Sequence, residues 1–206
     1  MGPRPASSRS SDLPATLPPV ARSPQTLSVD DRRTVASWAA DVAEYVLAIY
    51  EDAVPGDARV RDVIEQARAF ADGDLEVGDA VGRRGGDAGS AAREAPTPAA
   101  KAAAYAAEQA GAVAHMGAHA LGAAGYADKA MRLDGRRDDA TGTPLDAHRQ
   151  VSIMRDAVAR ALSSLPALGE NRSGPLGPGR LSHGDVGEAI RAIQTELGNR
   201  QVDQAT

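Results

Sequence analysis

The chain contains no cysteine, which excludes disulfides and thiolate metal sites and fits a reducing compartment. Aromatic residues are scarce, with one Trp, one Phe and four Tyr, so no platform for stacking bases is available. No apolar run approaches the roughly 18 residues needed to cross a bilayer, and the N-terminus lacks the apolar stretch of a secretory signal. Cytoplasm is the expected location and no membrane partner is expected. A basic excess is missing too: the net charge of -5 argues against nucleic-acid binding and permits a basic protein partner.

What the chain has instead is alanine. The stretch from Thr97 to Leu133 is almost entirely small residues and carries His115 and His119. Alanine buries little area at roughly 25 cal/mol per Å², so helix propensity must carry much of the stability. One unbroken helix over this stretch would reach about 55 Å at 1.5 Å per residue, too long for so small a protein. A break is expected near Gly117, with Thr97 and Pro98 opening the first half and both halves forming the packed centre.

The remaining segments read as helices around that centre, giving an all-α bundle of six or seven helices. Residues 1–26 are rich in Pro, Ser and Arg and are expected to form a disordered tail. Ser28 offers an N-cap, with Asp30 and Asp31 in the first turn, and Val35, Trp38, Ala39, Val42, Tyr45, Val46 and Ile49 recur at steps of three and four up to Pro55-Gly56. Asp57 caps a second helix that stops at Gly73, and so short a connection predicts an antiparallel pair.

Residues 74–94 carry glycines that each cost roughly 1 kcal/mol in a helix interior, so the helix expected there competes with a loop at Arg83 to Gly86. Asp134 to Pro144 reads as a loop and Leu145 to Leu165 as a helix, completing a helical domain over 27–166. A flexible linker over 167–180 is expected to lead into an amphipathic helix over 181–198. Ser182 and Asp185 stand at its start, Val186, Ala189, Ile190, Ile193 and Leu197 form its stripe, and fraying is expected from Asn199.

Chemistry-bearing candidates are few. His115 and His119 stand at i, i+4, a spacing that shares a metal ion on an unbroken helix, but the Glu of a zinc-protease motif is replaced by Met116 and the expected break separates the pair. The carboxylates Asp41, Glu44, Asp62, Glu65 and Glu108 form no recognisable acid/base pair, and no nucleophile elbow is present. The run Gly82 to Gly89 matches neither phosphate-binding glycine motif, although Arg83 and Arg84 could contact an anion there. No cofactor is expected.

AADVAEYVLAIYE at 39–51, the Pro-x-Asp-x-Arg at Pro55 to Arg59, AREAPTPAAKAAA at 92–104 and AVAHMGAHALGAAGYADKA at 112–130 together resemble an immunity-protein family of bacterial polymorphic-toxin systems. The residues that carry the resemblance are His115, His119, Leu121, Gly122, Tyr126 and Lys129. It covers Leu27 to Leu133 and implies an all-helical, non-catalytic protein that binds and neutralises a protein toxin. On that reading the polar side of the first helix, with Asp41, Glu44 and Glu51, is the candidate contact face. The alternatives are a metal- or small-ligand-binding protein, and even an enzyme, centred on His115 and His119, and a helical scaffold that uses its last helix as a handle.

Overall fold

The computed structural model describes Gly2 and residues 23–83, 85–135 and 147–205; side chains from residue 203 onward are not described. The expected tail up to Arg22 and the expected loop from residue 136 to Pro144 lie outside those residues, as does Arg84. Among the described residues there is no strand, and the architecture is an all-α bundle.

Helix α1 spans Val29–Tyr45 and α2 spans Leu47–Ala53. Ser28 caps α1 by accepting the Asp31 backbone N–H at 3.0 Å, close to the positive end of the helix dipole where Asp30 and Asp31 also lie. The helix expected to be continuous is interrupted at Val46, whose N–H turns back to Ala43. Val35, Trp38, Ala39, Val42, Val46 and Ile49 are buried as the periodicity predicts; Tyr45, assigned to the same stripe, is 39% exposed.

Helix α3, Arg59–Asp72, follows after Gly56, which adopts φ 84°, and ends on Gly73 at φ 92°. Its N-cap is Ala58 rather than Asp57, but Asp57 still accepts the Arg59 N–H at 3.0 Å. Arg61 pairs with Glu51 and Arg68 with Asp41 and Glu44, while Arg33 donates to the Phe70 carbonyl and lies over the Phe70 ring. Later residues of α3 therefore meet earlier residues of α1, which makes the pair antiparallel.

The glycine-rich third segment is two short helices, α4 at Val77–Arg83 and α5 at Ala88–Glu94, so a turn over 85–87 replaces the continuous helix. The glycines are needed there for proximity. A Cβ on Gly85 would stand 2.5 Å from Glu108 Cγ and 2.7 Å from its backbone oxygen, and one on Gly89 would stand 2.6 Å from Glu108 Oε1.

Helices α6, Pro98–Ala112, and α7, His119–Asp134, form the centre and share the most extensive contact among the described elements. Thr97 caps α6 by accepting from Ala100 N–H at 3.1 Å, with Pro98 in the first turn. The chain breaks at 113–118, where the sequence predicts it. Small side chains permit close approach: a Cβ on Gly122 would stand 2.5 Å from Gln109 Oε1, and one on Gly125 would stand 3.0 Å from Val186 Cγ1.

Helices α8, Ala147–Ser152, and α9, Asp156–Ser163, replace the single helix expected over 145–165, with Ile153 to Arg155 forming the corner. Helix α10, Gly184–Ala205, follows a single 3-10 turn at Arg180–Ser182 and packs along α7 and α8, with Ile190 and Ile193 fully buried. Its stripe is therefore covered by the bundle. It remains helical past Asn199, and Arg200 donates to the Val151 and Met154 carbonyls at 2.7 and 2.8 Å and to Asp156 at 2.6 Å.

Two segments expected to be loose are packed. Gln25, placed in the tail, is 1% exposed; its amide donates to the Ser173 carbonyl and accepts from the Leu176 N–H, both at 2.8 Å. The backbone carbonyls of Gln25 and Thr26 accept from Ala118 and Gly117 in the α6–α7 turn. The run over 167–180, expected as a linker, buries Leu176 completely. Composition hid this, because one buried amide and one leucine give no periodic signal in a Gly- and Pro-rich run.

Candidate functional site

The polar candidates separate into two regions. On α1 and α2, Asp41, Glu44 and Glu51 are not a free acidic face. Arg68 donates to Asp41 at 2.7 Å and also to Glu44, and Arg61 grips Glu51 through two bonds of 2.8 and 2.7 Å. Asp62 and Glu65 are exposed on α3. Beside Asp41 lies an apolar groove of about 340 Å³, lined by Trp38, Val42, Tyr45, Met154 and Val158, with Ile153 67% exposed at its edge. The break at Ile153 to Arg155 creates this groove by turning the α8–α9 corner toward α1. Arg155 donates to Ser37 Oγ across it at 3.2 Å.

The second region is a polar cleft of about 410 Å³ at the α6–α7 turn. Glu108, Gln109, His115, His119 and Arg180 line it. The break at 113–118 does not drive the two histidines apart as expected, since their ring centroids lie 6.5 Å from each other. His119 Nδ1 lies 2.8 Å from Gln109 Oε1, an acceptor, so this contact holds the ring through a hydrogen bond donated by Nδ1. Among the described residues, no group of three or more His, Cys, Asp or Glu is arranged to hold a metal ion. Arg180 lies over the Tyr105 ring at 5.1 Å, and Tyr105 in turn packs on Tyr126 with centroids 5.2 Å apart.

The residues that carry the family resemblance knit this region together. Leu121 is fully buried, Gly122 admits Gln109, Tyr126 stacks on Tyr105, and Lys129 reaches Asp185 of α10 at 3.4 Å. Burial pushes the Tyr126 hydroxyl above its ordinary pKa; Arg180 pulls against that shift and Glu108 adds to it. Sequence reasoning missed Gln109 and Arg180. Gln109 is buried inside an alanine run, and Arg180 lies more than 60 residues further along the chain from the turn it faces, so no local pattern joins them. Arg83 ends α4 exposed on the surface, in a shallow cleft shared with Arg59, Asp62 and Asp87.

A small-residue helical bundle with a polar cleft at its central turn and an aromatic groove on its first helix has the features of a binding protein. The chain belongs to the family described as Imm-5 like putative immunity protein, whose model matches residues 25–162. The match starts at Gln25, the first buried side chain among the described residues, and ends at Leu162 in α9. No curated protein and no solved structure matches the chain. Among the described residues, no helix is long and apolar enough to cross a membrane.

Proposed function

We propose that this protein binds a cognate protein toxin and neutralises it by occlusion, without chemistry of its own. Membership of the immunity-protein family supports the partner class. The observation that carries the reading is the groove on α1: Trp38 and Tyr45 flank it, Ile153 stands exposed at its edge, and charged residues rim it. An apolar centre with aromatic anchors inside a polar rim is the anatomy of a protein interface, and such anchors carry most of the binding energy. Asp41 and Arg155 belong to that rim, with Glu44 further along α1 and Glu51 on α2. Their arginine partners reduce the steering they can exert, so Tyr45 and Ile153 contribute more to affinity than the carboxylates do.

The test is co-purification and growth protection with the toxin encoded beside this gene. Tyr45→Ala with Ile153→Asp should weaken binding at least tenfold and abolish protection while the helical circular dichroism is retained. Replacing Asp41, Glu44 and Glu51 together with Ala should cost less and act chiefly on the association rate. Full protection by the Tyr45/Ile153 variant would remove this groove as the contact surface.

A further inference from the structure

We propose that the cleft at the α6–α7 turn binds a small zwitterion of the amino-acid class, with its ammonium directed to Glu108 and its carboxylate to Arg180. This goes beyond toxin binding and does not depend on it.

The argument starts from charge pairing. Elsewhere in the bundle, arginines close to a carboxylate engage it: Arg59 with Asp57 and Glu94, Arg61 with Glu51, Arg68 with Asp41 and Glu44, and Arg200 with Asp156. Glu108 and Arg180 line one cleft and break that habit. Among the described residues neither makes an ion pair, with the other or with a third group. Glu108 Oε2 is shut off from solvent and has no hydrogen-bond donor. Arg93 approaches Glu108 beside Gly89 but donates to Ser90 Oγ instead, and a half-buried carboxylate that no cation engages is costly, a cost relieved when a ligand supplies one. Arg180 is held by the Tyr105 ring, which leaves the edge of its guanidinium fork for a carboxylate.

A space of about 410 Å³ suits an amino acid or a dipeptide. The cleft is built rather than left over. Three segments distant in sequence converge on it, and two of them bring a lining glycine where a Cβ would collide: Gly85 against Glu108 and Gly174 against Gln25. His115, His119 and Gln109 line the same cleft and give it a polar wall.

The experiment uses the full chain and isothermal titration calorimetry with the twenty free L-amino acids, their N-acetyl and carboxamide derivatives, acetate, inorganic phosphate and zinc. At least one free amino acid should bind with 1:1 stoichiometry. Its N-acetyl and carboxamide forms should bind at least tenfold more weakly, as should the parent ligand to Glu108→Gln and to Arg180→Gln. Arg180 is exposed, so its variant keeps the test valid if Glu108→Gln fails to fold. Four outcomes would overturn the proposal: no amino acid binding at 10 mM (roughly the weak end of specific recognition), acetate or phosphate binding as tightly as the amino acid, zinc as the only species bound, or affinity unchanged in Arg180→Gln.

Discussion

At the scale of single residues, Tyr50, Asp57, Arg59 and Glu94 form one continuous hydrogen-bonded chain. Tyr50 is fully buried and donates to Asp57 Oδ2 at 2.8 Å, while Arg59 holds both carboxylate oxygens and reaches on to Glu94. The Arg59 hydrogen bonds keep Asp57 well below the usual carboxylate range, and burial with the Asp57 bond pushes Tyr50 up to about 12. The two groups act on stability at opposite ends of the pH scale. Asp57 contributes fully above the unfolded value of about 4 and loses its contribution as pH falls below that. Tyr50 contributes fully below about 10 and loses its contribution as pH climbs from 10 toward 12. Melting temperature should therefore be flat from about pH 5 to 9 and fall on both sides. Asp57→Asn should flatten the acid limb and Tyr50→Phe the alkaline one. Glycines give a second residue-scale contrast. Gly85→Ala forces a Cβ against the α6 backbone and should destabilise by about 1–3 kcal/mol in urea unfolding. Gly82→Ala, with nothing within 4 Å of the new methyl, should stabilise by up to about 1 kcal/mol.

At the scale of elements, α10 shows how far periodicity carries. Its stripe of Val186, Ile190, Ile193 and Leu197 is legible in the sequence and buried in the fold. Its last turns do not continue that stripe, Val202 being exposed, and Arg200 ties them to the α8–α9 corner. Arg200→Ala should cost about 1–2 kcal/mol, because two carbonyls lose a charged donor, and amide exchange should quicken at Ile153 to Asp156. The same division holds along the chain. Caps at Ser28 and Thr97, the Gly73 stop and the break before His119 were all readable, because each is set by local chemistry. The interruptions at Val46 and at Ile153 to Arg155 were not, since no Pro or Gly marks them. The cleft was half legible: the histidines stood out, whereas Glu108 looked like an ordinary solvated acid and Arg180 like part of a linker.

For the whole molecule, the decisive contact is Gln25, which joins the N-terminal segment, the α6–α7 turn and the 167–180 run. Gln25→Ala leaves the Leu176 N–H and the Ser173 carbonyl without their partner and should lower stability by about 1–3 kcal/mol. Hydrogen exchange should rise in 173–177 and in 115–118 together, because both are tied through one residue. The same clasp has a consequence for biosynthesis. Gln25 and Ser173 are separated by 148 positions, and at about 5–20 residues per second a ribosome needs roughly 7 to 30 s to pass from one to the other. Throughout that interval the helices already made lack the 167–180 run that closes over Gln25, and α10 as well. A nascent chain is therefore open to chaperones and proteases until its last quarter emerges.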